Sequence, residues 1–330
     1  MMSRCKMELF LGIDTSCYTT SLAIVDGEGN LFSEARKLLA PPPGGRGLAQ
    51  NEAVFQHILN LPGLFTEVAG PGEMHMLRGI AASVRPRPVE GSYMPVFMVA
   101  KSFAASLAGI LGIPLVLTSH QEGHLAAGLW SAGGPTEDEF LAVHLSGGTT
   151  ELLHVKVGHH LDEANRFFEI KLIGGSTDLH AGQFVDRIGV SLGLPFPAGP
   201  HLELLAQSAS TEVAIPSSVK GFDLSFSGPE AAALRLVEKG VPAPDVARAV
   251  ENCIANTMEK VIRKAVLETG IKAVLIVGGV SANNHVREKL CQRLHHQAVK
   301  ARLHFATPRL SSDNSVGVAL IGRSKHCGVE

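Results

Sequence analysis

The chain has 330 residues, of which 45% are hydrophobic and 18% charged, with a formal net charge of −2. That length and apolar content suit two lobes with packed cores and exclude a disordered chain. The near-neutral total argues against a broad basic face for nucleic acid and leaves room only for local patches.

In chain order, "ELFLGIDTS" (8–16) reads as a buried strand and "SLAIVD" (21–26) as a second. "DGEGN" (26–30) is a turn, and "LFSEARKLL" (31–39) is a third strand. The stretches 41–47 and 85–92 are Pro- and Gly-rich connections, and 94–111 has a helical pattern followed by the strand "IPLVLTS" (113–119). From 139 to 157 an apolar run, a small polar cluster and a second apolar run repeat the opening, and "RFFEIKLIGG" (166–175) supplies its third strand. Such an internal repeat predicts a duplicated α/β architecture, two lobes with a cleft between them. The expected division is 1–135 and 136–330. Residues 244–270 form a long amphipathic helix, with Val246, Val250, Cys253, Thr257, Val261 and Ala265 on one stripe. Asp245 is placed to cap it and Gly270 to end it. "KAVLIVGGV" (272–280) is a buried strand entering a glycine turn.

Five cysteines, Cys5, Cys17, Cys253, Cys291 and Cys327, are scattered and odd in number. They read as reduced thiols in a cytoplasmic protein. No apolar signal core or membrane span is found.

The stretch "TSHQEGH" (118–124) puts His120 and His124 four positions apart, on one face of a helix. In H-E-x-x-H proteases a glutamate follows the first histidine, and here Gln121 stands there. The pair is either two ligands to one metal or a helix-start pair bonded to backbone and water. A third ligand would come from elsewhere. Asp313, in "SSDNSVG", is a candidate and equally a helix cap; His144, beside "SGG", is another candidate and equally a core histidine. The turns "LSGGTT" (145–150), "GIDTSCYTT" (12–20, with Asp14) and "VGGVSANN" (277–284) together point to a nucleotide in the cleft. Three structural turns are the plain alternative.

Taken together, these motifs resemble those of the tRNA threonylcarbamoyladenosine transferase family, long labelled O-sialoglycoprotein endopeptidase, within the actin-like, sugar-kinase and Hsp70 ATPase superfold. "HQEGH" is similar to its H-x-E-G-H metal motif and "LSGGTTELL" to its V-S-G-G-H-T-x-L turn. "AGQFVDRIGVSLGLPFPAGPHLE", "LSFSG", "GGVSAN" and "SDNSVG" follow in the family's order. The resemblance implies one divalent metal, iron or zinc, on His120, His124 and Asp313, with His144 as a candidate fourth ligand. It implies adenylate or ATP as ligand, near Asp14, Ser146, Gly147, Gly148, Thr149, Thr150, Asp186, Gly199, Glu203, Gly278, Gly279 and Asn283. It also implies metal-dependent transfer of threonylcarbamoyl from its AMP adduct to an anticodon-loop adenosine of tRNA, alongside helper proteins of that pathway. Arg46, Arg85, Arg87 and Lys101 are candidates for tRNA phosphates.

The chain departs from the family pattern at Thr149 and in the segments 85–97, 174–182 and 228–232. Two alternatives therefore stay open. One is a paralogue that transfers a carbamoyl-type group to a small molecule; the other is a non-catalytic partner of a true transferase.

Overall fold

The computed structural model describes residues 8–16, 18–40, 48–70, 72–158 and 167–327. The connection 41–47, with Arg46, and residues Cys5 and Cys17 lie outside these.

Strands β1 (Leu9–Ser16) and β2 (Thr19–Asp26) pair antiparallel, and β2 pairs with β3 (Leu31–Leu38). The Asp26 carboxylate fixes the β2–β3 turn by accepting from the backbone of Glu28 and Asn30, while Gly29 takes φ +86°. Helix α1 (Gln50–Val68) follows. β4 (Leu77–Ser83) then adds parallel to β1, helix α2 (Phe97–Leu111) crosses over, and β5 (Leu115–Thr118) pairs with β4. The sheet order is β3-β2-β1-β4-β5. Every residue of β1 is buried, because the sheet is covered on both faces. Helix α3 (His120–Ala132) leaves the end of β5.

The plan then repeats. β6 (Glu139–Leu145) pairs antiparallel with β7 (Thr150–Val157), next to β8 (Phe168–Gly175). Helices α4 (Ala181–Ser191) and α5 (Gly199–Ala206), a small hairpin of β9 (Ser218–Lys220) and β10 (Asp223–Ser225), and helices α6 (Ser227–Glu238) and α7 (Ala243–Thr269) come next. β11 (Ala273–Val277) pairs parallel with β6; helix α8 (Asn284–Leu294) and β12 (Arg302–Phe305) complete the sheet, in order β12-β11-β6-β7-β8. A short α9 (Pro308–Ser311) and α10 (Val316–Cys327) end the described chain.

The described residues form two compact units. One comprises those up to 130, with 158, 167–168 and 313–327; the other comprises 131–157 and 169–312. The sequence expectation divided the chain once, at 135/136. The units instead interleave, because α10 returns to the first sheet. A Cβ at Gly12 of β1 would lie 2.5 Å from the Ser315 carbonyl and the Ala319 amide, so only glycine admits the helix this close. In the second unit α7 is buried nearly all round from Asp245 to Glu259, with only the line of Arg248, Asn252 and Asn256 partly exposed. Phe184 and Phe226 stack beside it with ring centroids 5.6 Å apart. Each fully buried Leu, Ile, Val or Phe contributes about 1.5–3 kcal/mol. Gly270 ends α7 in the left-handed conformation, as expected, but Asp245 is not its cap. The helix begins one residue after Pro242, and the Asp245 carboxylate accepts from the Ser210 and Thr211 amides instead. No helix among the described residues is long and apolar enough to cross a membrane.

Candidate metal centre and ligand cavity

The start of α3 explains the form of "SHQEGH". Ser119 and Glu122 make a capping box: the Ser119 hydroxyl accepts from the Glu122 amide at 3.2 Å, and Glu122 Oε2 accepts the Ser119 amide at 2.9 Å. Oε2 also takes the hydroxyls of Thr118 and Ser119, and Oε1 takes the Phe167 amide. The next two amides, of His120 and Gln121, donate to the carbonyls of Arg85 and Pro86. The altered 85–97 segment therefore holds the helix that carries both histidines.

Gly123 and Gly317 set where α3 meets α10. A Cβ on Gly317 would lie 1.9 Å from the Gly123 carbonyl. That close crossing brings Asp313, three positions ahead of the first residue of α10, up to the imidazole pair. Its bland alternative, a helix cap, is filled by Asn314, whose Oδ1 accepts the Val316 amide.

The Asp313 Oδ1 stands 3.4 Å from His124 Nε2 and 3.5 Å from His120 Nε2, and the two Nε2 atoms are 3.1 Å apart. Behind His120, Asp14 Oδ2 bonds Nδ1 at 2.9 Å and accepts the Ser83 hydroxyl at 2.6 Å, while Oδ1 accepts the Ser16 amide. Asp14 is thus buried with its acceptors engaged, and it presents no free edge to a nucleotide. Burial alone would depress the His120 pKa. The charge and hydrogen bond of Asp14, together with Asp313, overturn this and hold it well above the usual value. Burial would likewise raise Asp313, but the two imidazoles hold its carboxyl well below the ordinary range.

Two nitrogens 3.1 Å apart, both aimed at one carboxylate oxygen, need a proton or a cation among them. With Nδ1 of neutral His120 donating to Asp14, Nε2 carries the lone pair. Tetrahedral nitrogen ligands at about 2.0–2.1 Å from zinc lie roughly 3.3 Å from one another. His120, His124 and Asp313 therefore fit a single small cation; they are the group of three such side chains found among the described residues. His144 is buried in β6, in the second unit, and is not part of this group.

The second unit holds a cavity of about 370 Å³. Of the residues expected to bind nucleotide, Gly147, Asp186, Gly199, Glu203, Gly279 and Asn283 line it. Ser146, Gly148, Thr149, Thr150 and Gly278 shape its surroundings. Ser146 N donates to the Thr149 carbonyl at 2.7 Å, Gly148 N lies 3.3 Å from Ser146 Oγ, and Thr150 Oγ1 accepts the Ala181 amide at the start of α4. A Cβ at Gly182 would meet Gly147 N at 2.6 Å, so α4 starts hard against the glycine turn. Gly278 takes φ +97°, and a Cβ there would lie 2.2 Å from the Leu145 carbonyl. Asp186 keeps one carboxylate oxygen on the Ala198 amide, and Glu203 keeps one on the amide and side chain of Asn284. Burial raises the pKa of Asp186. Asn283 caps α8 by accepting the Val286 amide.

A model of the TsaD family, tRNA N6-adenosine threonylcarbamoyltransferase, matches residues 40–320. The chain belongs to this family. Membership makes it an acyltransferase-type enzyme. A relative from Thermus thermophilus named tRNA N6-adenosine threonylcarbamoyltransferase is 32% identical over 321 residues, 96% of this chain and 92% of the relative. A protein of Methanothermobacter thermautotrophicus, named a probable bifunctional tRNA threonylcarbamoyladenosine biosynthesis protein, is 30% identical over 96% of this chain and 55% of its own length. Among solved structures, component A of (R)-2-hydroxyglutaryl-CoA dehydratase from Acidaminococcus fermentans superposes with a TM-score of 0.56 at 16% identity, covering 97% of this chain and 99% of that one. A ROK family glucokinase from Streptomyces griseus gives 0.53 at 13% identity, covering 96% and 99%. These likenesses concern the fold, the two-lobe α/β architecture of the actin-like, sugar-kinase and Hsp70 ATPase group.

Four side chains escaped the sequence reading in the places they occupy: Ser83, Arg248, Glu251 and, as a cap, Glu122. The Ser-x-x-Glu spacing of 119–122 was a readable signal. Glu251 left none, because it stands off the apolar stripe of 246–265 and is buried only where the fold covers α7 nearly all round.

Proposed function

We propose that the chain transfers a threonylcarbamoyl group from threonylcarbamoyl-AMP to the N6 amine of an anticodon-loop adenosine in tRNA, with one divalent metal, iron or zinc, on His120, His124 and Asp313. The observation that supports this most is the meeting of those three ligand atoms, with Asp14 behind His120, in a chain of this family. When bound, the cation would supply Lewis-acid polarisation of the carbamoyl carbonyl and orient it.

The chain's own residues have separate tasks in this reading. Asp14 holds the Nδ1 proton of His120 and so presents Nε2 as a ligand. Ser83 and the Ser16 amide hold Asp14 in turn. Glu122 fixes the first turn of α3. Both of its oxygens are engaged, so it is no general base and the old peptidase label has no base to rest on. In the second unit, Val185, Ile254, Val280 and Val286 offer apolar walls for an adenine. The second oxygens of Asp186 and Glu203 suit ribose hydroxyls, and the 146–150 turn suits the phosphate. Arg85, Arg87 and Lys101 are the proposed contacts to tRNA phosphates.

The test supplies labelled threonylcarbamoyl-AMP, tRNA and the helper proteins of the pathway to the purified chain. Label in a tRNA adenosine is the expected result. Absence of label in tRNA, with metal bound, would overturn the tRNA reading; label on a small acceptor instead would identify the paralogue that the 85–97 and 228–232 departures left open. Absence of metal in the active chain would remove the metal from the reading.

A further inference from the structure

Behind the second-unit cavity, hydrogen bonds close into a ring that joins three separate elements. Arg248 of α7 donates Nη2 to the Ala206 carbonyl at the end of α5, at 3.0 Å, and Nη1 to Glu251 Oε2, at 2.7 Å. Glu251 Oε1 accepts Asn283 Nδ2 at 2.6 Å, from the turn that follows β11. The neighbouring Asn284 donates its amide and its Nδ2 to Glu203 Oε1, and Glu203 lies on α5, where the ring began. Three elements supply cavity walls: α5 through Leu202 and Glu203, α7 through Glu251 and Ile254, and the turn through Val280 and Asn283. Glu251 is the joint between two of them, and it is 1% exposed.

We propose that Glu251 is a positioning residue of this cavity: by accepting from Arg248 on one oxygen and from Asn283 on the other, it fixes the turn against α5 and α7, and so sets the affinity for an adenine nucleotide. The inference rests on the adenylate reading given above. Both partners of Glu251 are donors, so the residue between them must accept on both sides. A carboxylate does so, and a carboxamide does not. Burial has a visible consequence here: it pushes the Glu251 carboxyl up to about 7, against the pull of Asn283 and Arg248, with Glu203 adding to the rise. An acid held at that cost on the wall of a cavity is the kind of group found at functional sites.

Titration calorimetry of AMP against the full chain tests the ring, at a pH above 7 where Glu251 is the carboxylate that accepts on both oxygens. Glu251→Gln turns one accepting edge into a donor facing a donor, and AMP binding should weaken roughly tenfold. Exchanging the pair, Glu251→Gln with Asn283→Asp, restores one donor facing one acceptor and keeps a good cap on α8. Its affinity should return to within about twofold of the starting chain. An unchanged affinity in Glu251→Gln would overturn the proposal. So would a weakened affinity that the exchange fails to recover, because a merely structural loss would not respond to reversing donor and acceptor. If the unaltered chain binds no AMP, the adenylate reading falls and takes this inference with it; binding by the unaltered chain together with either overturning result defeats the inference alone.

Discussion

The first sheet runs β3-β2-β1-β4-β5 and the second β8-β7-β6-β11-β12, so each unit opens with three sheet neighbours, the first two antiparallel, and its first strand pairs in parallel with a later one. On this shared plan the two units build different sites. In the first, the polar groups are packed against one another: Asp14, His120, His124 and Asp313 hold each other at 2.9–3.5 Å, with two helices crossing at a glycine pair. In the second, α4 starts against the first glycine turn, and the turns together with α5 and α7 wall a cavity of about 370 Å³. The difference lies in which small residue does what. Gly317 allows two helices to touch and so closes a centre. Gly147 and Gly279 keep side chains out of a cavity and so leave it open.

Removing a ligand from the closed centre should have the largest effect. His124→Ala should abolish metal uptake and leave circular dichroism and the melting transition in place; full metal content in the purified variant would remove His124 from the ligand set. Next comes the group behind the ligand. Asp14→Asn keeps the shape but exchanges a charged acceptor for an amide, and metal affinity should fall about 10–100-fold in a competition titration with a chelator. Equal affinity would show that Asp14 does not orient His120. A smaller effect is expected where the backbone makes the site. Gly317→Ala places a methyl 1.9 Å from the Gly123 carbonyl, and the helices must separate at a cost of about 1–3 kcal/mol of stability in denaturant unfolding. An unshifted midpoint would mean that the crossing is looser than described.

The smallest effects are two slopes of opposite sign. His57, buried in the first unit with Nδ1 on the Thr20 hydroxyl, has its pKa lowered by burial to about 4. The unfolded chain, with a pKa of 6.5, binds the proton first, so this stability is present above pH 6.5 and is lost as pH falls toward 4. Glu251 in the second unit is raised to about 7 from 4.5, so the folded chain holds the proton longer, and stability is lost as pH rises from 4.5 toward 7. Hydrogen exchange followed from pH 4.5 to 7 should show protection growing with pH around His57 and declining around Glu251. Parallel trends in the two units would show that His57 and Glu251 do not set these slopes.

Much of this was readable before the fold was known. Alternation and apolar runs placed the strands of both triplets, and their repetition announced the duplicated architecture. The i, i+4 spacing of His120 and His124 put both imidazoles on one face, and the order of the short motifs pointed to the family. Asp245 was misread as a cap because a carboxylate near a helix start has two possible partners, its own helix or a passing loop, and local sequence does not say which. Asp14 was grouped with the nucleotide turns because a carboxylate beside hydroxyls fits that pattern as well as it fits an imidazole 106 positions away.

Periodicity, turns and the pairing of near neighbours follow from residue order alone, since they depend on residues within one or two helical turns of each other. The approach of Asp313 to α3, the return of α10 to the first sheet and the link that Glu251 makes from α7 to the turn after β11 arise only on folding. Those contacts connect residues far apart in the chain. They are settled by which surfaces pack most closely, at Gly12, Gly123 and Gly317, and by which buried polar groups must find partners there.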